Sequence, residues 1–246
     1  MRAAAGSDAP DAAPDDRPTV RARLRARLTD AASFRSWAVD ANDGVIATAG
    51  VLEGFAGAGA SGHVLLTAAV AATGAGSLGL GGAKWAEAAA ERETQLSSVA
   101  AETAELARDP DAELRELTDH YVRKGLDPEL ARRVAEQLSA RDALSAQLES
   151  EYGIDRIMSA AATAWEGVSA AVAYLVGALI PLLITLFVPA RMEGWILVIA
   201  VVVSLTVTSF IAARRGRVSL GRTLLRTLVV GLGTLAISYT AGLLLF

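Results

Sequence analysis

The sequence predicts an all-α integral membrane protein: five transmembrane helices, with a cytosolic three-helix insert between spans 2 and 3. Two observations predict this class. Hydrophobic residues make up 52% of the 246-residue chain although 20% of its residues are charged, so the charges must be segregated from the apolar stretches. Five apolar stretches also reach about 20 residues, the length that a helix needs to cross a bilayer.

The predicted spans fall into two groups. Three are almost free of charge, at residues 168–188, 195–213 and 224–246. Two upstream stretches are built from alanine, glycine and valine, at residues 42–60 and 63–83. We therefore assign transmembrane helices 1 and 2 to residues 41–84 and transmembrane helices 3 to 5 to residues 159–246.

Arginine placement predicts the topology. One basic cluster precedes the first span, at Arg17, Arg21, Arg23, Arg25, Arg27 and Arg35. A second separates spans 4 and 5, at Arg214, Arg215, Arg217 and Arg222. Only a five-span count puts both clusters on one side, which the positive-inside rule makes cytoplasmic. The N-terminus is then cytoplasmic, the C-terminus lies outside, and the cell membrane is the expected location.

The residues before the first span divide into two segments. Residues 1–18 are rich in alanine, aspartate and proline and lack the apolar core of a signal peptide, so we expect a disordered arm. Residues 19–40 predict a basic amphipathic interfacial segment, because apolar side chains recur opposite an arginine face. An ordinary positive-inside anchor is an equal alternative.

The insert, residues 85–158, is predicted to be helical and soluble, because proline turns divide it into three helices. Asp109-Pro110 and Asp127-Pro128 each supply an aspartate cap followed by proline at the first helical position. Gly125 and Gly153 are expected to end the second and third helices. The predicted core stripe contains Leu106, Leu114, Leu117, Leu130, Val134, Leu138 and Leu144.

Four glutamates of the insert form two i,i+3 pairs on consecutive helices. The pairs are Glu102 with Glu105 and Glu113 with Glu116. A turn at Asp109-Pro110 folds the two helices together, so four hard oxygen ligands could surround one cation. The ordinary interpretation of such a charge run is a solvated helix face. His120 could add a nitrogen ligand or simply face solvent.

Two acids fall inside the first predicted span. Asp43 and Glu53 would be costly facing lipid, so we expect them to face the bundle interior, a water path or a dimer seam. For Asp43 the alternative is an interfacial helix cap before Gly44. The small residues Gly50 and Gly54 predict a close helix contact, which we assign to a dimer.

No enzyme is expected. Cysteine is absent and only two histidines occur, so disulfides, thiolate metal sites and a nucleophile motif are excluded. Residues 74–79 fit the G-x-G-x-x-G pattern, but no predicted strand precedes them, so a dinucleotide site is not expected. Neither a prosthetic group nor a nucleic-acid partner is expected.

Several motifs, taken in their order and spacing, resemble the vacuolar iron transporter family from about Trp37 to the C-terminal end. Besides the glutamate spacing and the glycine-rich second span, they are Ala41-Asn42-Asp43-Gly44, residues 124–135, Glu151-Tyr152-Gly153-Ile154 and residues 177–183.

This resemblance implies a homodimer with five spans per protomer that exchanges cytosolic Fe²⁺ or a similar divalent ion, such as Mn²⁺, for protons. It implies a cytosolic metal-binding domain, whose ligands match Glu102, Glu105, Glu113, Glu116 and Glu151. It also places Asp43 on the translocation path, to which we add Glu53 because of its position in the span. Membrane lipid, divalent metal ions and protons are the expected partners.

The chain departs from the family pattern at its soft ligands. The family has a methionine ligand in the second span, and this chain has Leu78 or Leu80 at that position. In the third insert helix, where relatives place soft or imidazole ligands, this chain has Ser139, Arg141, Gln147 and Leu148. An all-carboxylate site is hard and suits Mn²⁺, Fe²⁺, Ca²⁺ or Mg²⁺. Two functions follow: a transporter that exports cytosolic metal, or a transport-silent membrane scaffold or metal sensor that binds metal only through its insert.

Overall fold

The computed structural model describes residues 31–188, 190–216 and 219–245, which form seven helices and no strand. In chain order they are α1 (Ala31–Gly57), α2 (Gly62–Arg108), α3 (Pro110–Arg123), α4 (Pro128–Tyr152), α5 (Ala160–Phe187), α6 (Ala190–Gly216) and α7 (Leu220–Leu245). The predicted arm 1–18 and residues 19–30 of the interfacial segment lie outside the described residues. The all-helical class is confirmed for the part of the chain that the structure describes.

Four of these helices are long and apolar enough to cross a membrane: α2, α5, α6 within residues 194–211, and α7. Helix α1 is not among them, because Arg35, Asp40, Asp43 and Glu53 make it less apolar. It nevertheless packs against all four, most extensively against α5 and α7. The chain is therefore a membrane protein in which α1, despite its four charged residues, packs against every other helix of the bundle.

Helix α1 begins well before the predicted first span. It runs without a break from Ala31, so residues 31–40 of the predicted interfacial segment continue directly into residues 41–57. Helix α2 is also continuous, and its 47 residues join the second predicted span to the first insert helix. At 1.5 Å per residue it is about 70 Å long, so the insert is attached to the bundle by an unbroken helix.

The caps of the insert helices are confirmed. The Asp109 side chain accepts a hydrogen bond from the Ala112 amide at 2.9 Å, and the Asp127 side chain accepts one from the Glu129 amide at 3.0 Å. Gly125 and Gly153 have φ angles of 98° and 66°, in the left-handed region that glycine favours.

The interior of the insert differs from prediction in two places. Leu117 is fully buried, but Leu130 is 44% exposed, and Ala131 and Ala135 supply the buried face of α4. Leu130 lies about 100° around the helix from Ala131, which turns it outward. Helix α4 is also broken at Asp142, which has non-helical backbone angles and accepts hydrogen bonds from Ser145.

The helix face of Gly50 and Gly54, which we assign to a dimer contact, packs against another helix of the same chain. A Cβ atom added at Gly50 would lie 3.3 Å from the Ser238 hydroxyl, and one added at Gly54 would lie 3.3 Å from the Ser238 carbonyl oxygen. Both glycines therefore face α7 of the same chain, and the dimer contact that we assign to them stays a prediction. Close packing of small residues joins α1 to α7.

We expect Gly177→Ala to destabilise the bundle by about 2 kcal/mol or more, because α1 and α5 cross at backbone contact there. A Cβ atom at this position would overlap the carbonyl group of Ala41. The measurement is thermal unfolding of the purified chain in detergent. Gly233→Ala is the matched control, since a Cβ atom there meets nothing within 4 Å. Equal losses in the two variants would contradict the tight crossing.

Candidate metal centre

The turn between α2 and α3 brings the two glutamate pairs together. Asp109 ends α2 and caps α3, and Pro110 begins α3, so the chain reverses direction within two residues. Glu102 lies near the end of α2 and is fully buried, while Glu113 lies near the start of α3 and is 7% exposed. The N-terminal end of α3 also favours negative charge through the helix dipole.

Helix α4 supplies the third carboxylate of the cluster. Glu151 stands two residues before Gly153, whose left-handed conformation ends the helix. One carboxylate oxygen from each of Glu102, Glu113 and Glu151 lies within 4.8 Å of the others. Oxygens bound at about 2.2–2.5 Å from a single Mn²⁺- or Ca²⁺-sized ion are at most about 5 Å apart, so the three fit one cation.

The other two predicted acids lie at the edge of this group. Glu105 is half-buried and Glu116 is exposed. Both act electrostatically on Glu113 and Glu151, and Glu116 shares a hydrogen bond with Glu151. The structure thus places all five predicted acids in one neighbourhood, three of them in the central group. His120 is not part of that group and instead packs edge-on against Tyr121.

The metal-free cluster retains protons more strongly than isolated glutamates do. Burial, followed by the negative charges of Glu151, Glu113 and Glu105, raises the pKa of Glu102 to about 7. Burial is also the largest cause of the raised pKa of Glu113 and of Glu151. Both oxygens of Glu102 are buried and accept no hydrogen bond from an N–H donor among the described residues, so a proton or a cation must compensate the charge.

Gln147 is a further residue of this centre, and its role was missed by the sequence analysis. It is 1% exposed, and its amide donates to the Glu113 carbonyl oxygen at 2.7 Å and to Glu113 Oε2 at 3.0 Å. These bonds orient the Glu113 carboxylate and tie α4 to α3. No local pattern indicates this role, because the two residues are 34 positions apart.

The acids of α1 are not brought together. Asp43 lies in the middle of α1 and is exposed on the single chain, so the alternative that it caps a helix is wrong: α1 begins at Ala31. Glu53 is 8% exposed and lies ten residues further along, about 15 Å away. A Cβ atom at Gly194 would lie 3.4 Å from its carboxylate, which places Glu53 against the start of α6.

A polar clamp beside Asp43 joins α1 to α6. The Asn42 amide donates to the Thr208 hydroxyl at 2.5 Å, and its carbonyl oxygen accepts from the Ser204 hydroxyl at 3.1 Å. Buried hydrogen bonds of this kind fix the rotation of α1, which carries Asp43, about its own axis. The signal in the sequence is an asparagine within an apolar span.

The chain is similar to proteins named for iron transport. It matches the model of the VIT family over residues 34–243. It is 32% identical to "Vacuolar iron transporter" of Acanthamoeba castellanii over 164 residues, which cover 67% of this chain and 59% of the relative. It is 28% identical to "Vacuolar iron transporter 2" of Oryza sativa subsp. japonica over 181 residues, which cover 73% and 72%.

The match with "Vacuolar iron transporter 1" of Eucalyptus grandis is 26% identical over 163 residues and covers 63% of each protein. The chain therefore spans less than two thirds of the length of both the Acanthamoeba and the Eucalyptus relatives. The family model nevertheless covers most of the chain, including the helical bundle and the insert. The chain belongs to the VIT family.

Proposed function

We propose that this chain transports a divalent metal ion, Fe²⁺ or Mn²⁺, out of the cytosol in exchange for protons. The observation that carries the proposal is the convergence of Glu102, Glu113 and Glu151 at the far end of a helix that continues into the membrane bundle. The names of the relatives, which specify iron transport, support the same function.

In this proposal the insert captures the ion. A cation that enters the cluster is held by carboxylate oxygens and displaces the protons that burial favours there. Glu105 and Glu116 complete the coordination or attract the ion from solvent. Because Gln147 donates a hydrogen bond to Glu113 and is not a soft ligand, the centre favours hard cations over later transition metals.

In the membrane, α1 supplies the acids of the proposed path. Helix α1, which carries both acids, packs against the other four helices of the bundle, and Glu53 lies against the start of α6. Neither residue is expected to be charged against lipid, so a passing cation would exchange with protons on these carboxylates.

Metal-driven proton movement in proteoliposomes tests this function. A pH-sensitive dye inside the vesicles should report a proton flux that depends on external Mn²⁺ or Fe²⁺ and is absent from protein-free vesicles. The replacement of the family's path methionine by Leu78 or Leu80 favours a second candidate, a transport-silent membrane scaffold or metal sensor. Metal binding without any flux would establish that second function and contradict transport.

We propose five spans and a homodimer in the cell membrane. The open side of α2 supports the dimer, because Cβ atoms added at Gly74, Gly79 and Gly82 meet nothing within 4 Å and Leu78 is 76% exposed. Such a face of small residues leaves room for a second helix to approach closely.

Single cysteines should report the number of spans, since the chain has none of its own. We expect cysteines replacing Arg35, Ser145 and Ser219, all in exposed positions, to be labelled by an impermeant reagent from the cytoplasmic side. A cysteine replacing Ser61 should be labelled from the opposite side. If Arg35→Cys is labelled from the same side as Ser61→Cys, α1 does not cross and the five-span topology fails.

We expect Gln147→Leu to weaken Mn²⁺ binding by about tenfold to a hundredfold, the usual cost of losing a group that orients a metal ligand. Leucine has a similar volume but leaves Glu113 without its amide donor. Isothermal titration of the purified chain measures the change. Gln137→Leu is the control, because Gln137 is exposed on the same helix. Wild-type affinity in Gln147→Leu would contradict the positioning role.

A further inference from the structure

A cavity of about 480 Å³ lies at the end of the bundle that carries the insert. It is partly open and is lined by the start of α1, the middle of α2 and the start of α5. Its aromatic and charged lining consists of Phe34, Trp37, Asp40, Lys84, Trp165 and Glu166. Neither Asp43 nor Glu53 of the proposed metal path lines the cavity.

The position of the cavity corresponds to the boundary between hydrocarbon and water. Charged residues begin on α2 at Lys84, and α5 has no charged residue after Glu166. Tryptophans such as Trp37 and Trp165 are typical of this depth in a membrane. On the membrane side, Val168 and Val172 line the cavity and are 54% and 47% exposed, so an apolar surface leads from it along α5.

The charges of the cavity are of both signs. Lys84 interacts electrostatically with Asp40 and Glu166. The Lys84 ammonium lies 3.1 Å from Glu87, but that pair is largely exposed and therefore weak, so Lys84 can turn toward a ligand. Asp40 is only 7% exposed, which strengthens its attraction for a cationic group. Serine hydroxyls from α1 and α5 also line the cavity.

We propose that this cavity binds the headgroup of a phospholipid that carries a primary amine, phosphatidylethanolamine. The ammonium group lies between Asp40 and Glu166, the phosphate contacts Lys84, and an acyl chain follows Val168 and Val172. A primary ammonium has three N–H donors for these carboxylates, whereas the quaternary ammonium of phosphatidylcholine has none. The cavity is lined by two carboxylates and one lysine, so it disfavours a headgroup with a net negative charge.

Lipid binding to the full-length chain in detergent, measured by native mass spectrometry, tests the proposal. The probes are phosphatidylethanolamine, phosphatidylcholine and phosphatidylglycerol with identical acyl chains. We expect wild-type protein to bind phosphatidylethanolamine about fivefold to tenfold more tightly than the other two, as expected for charge-assisted hydrogen bonds. Glu166→Gln should abolish that preference, whereas Lys84→Gln should weaken binding of all three lipids.

Glu91→Gln is the matched control, because Glu91 is exposed on α2 about two turns beyond the cavity and does not line it. Asp40→Asn replaces Glu166→Gln as the test if the latter changes the thermal unfolding of the chain. Equal binding of the three lipids by the wild-type protein would overturn the proposal. So would a full preference for phosphatidylethanolamine in a folded Glu166→Gln or Asp40→Asn variant. The outcome does not depend on metal transport.

Discussion

Glu102→Gln is expected to weaken Mn²⁺ binding to the full-length chain by about a hundredfold or more. Glu102 is a direct ligand in the proposed site, and losing a ligand should cost more than losing a group that only orients a ligand, which costs about tenfold to a hundredfold. Glutamine keeps the volume of the side chain but removes the negative charge from the most buried position of the cluster. Isothermal titration at pH 7.5 measures the affinity. Because the carboxylates must release their protons to bind metal, the affinity of the wild-type chain should also fall as the pH drops below about 7.

Glu149→Gln is the matched control for this measurement. Glu149 is exposed on α4 and lies outside the central group, so the variant should bind Mn²⁺ as the wild type does. If Glu102→Gln and Glu149→Gln give the same affinity as the wild type, the insert does not bind metal through this cluster.

The same substitution has an opposite effect on the metal-free fold. The pKa of Glu102 rises from 4.5 to about 7 on folding, so its stabilising contribution is present below pH 4.5 and is lost as the pH rises through about 7. Over this pH range the free energy of unfolding falls by about 3 kcal/mol, at about 1.4 kcal/mol per pH unit. Without metal, Glu102→Gln should therefore unfold at a higher temperature than the wild type at pH 8, and Mn²⁺ should stabilise the wild type more than the variant.

Asp43→Asn is expected to abolish metal-driven proton movement in proteoliposomes, to less than about a tenth of the wild-type rate. Asparagine preserves the shape and the hydrogen-bonding capacity of the side chain but cannot exchange a proton for a cation. The position lies within α1 and not at its end, so the change should leave the helix intact. Mn²⁺ binding by the insert should remain unchanged, which separates loss of transport from loss of folding.

Two further variants complete this measurement. Asp119→Asn makes the same chemical change at an exposed position of α3, outside the carboxylate group, and should transport normally. Glu53→Gln should cause a smaller loss than Asp43→Asn, because Glu53 is an addition to the pattern of the family. Transport at the wild-type rate by Asp43→Asn would remove this acid from the path.

Local features were predicted well because their causes lie close together in the chain. Capping aspartates, prolines at first helical positions and left-handed glycines act within a few residues, and the structure has them as expected at Asp109, Asp127 and Gly153. The boundaries of the bundle helices were less accurate. Helix α1 begins eleven residues before predicted residue 42, since residues 31–41 contain no proline or glycine that would break a helix.

The sequence by itself determined the class of this protein: apolar stretches of membrane length, a helical insert between proline turns, and glutamates at helical spacing. Tertiary structure alone decided which side chains meet. It buried Glu102 beside Glu113 and Glu151, made Gln147 a donor to Glu113, and turned Gly50 and Gly54 toward α7. The physical reason is that helical periodicity places a residue on a face of its own helix, whereas the partner of that face depends on how distant helices pack.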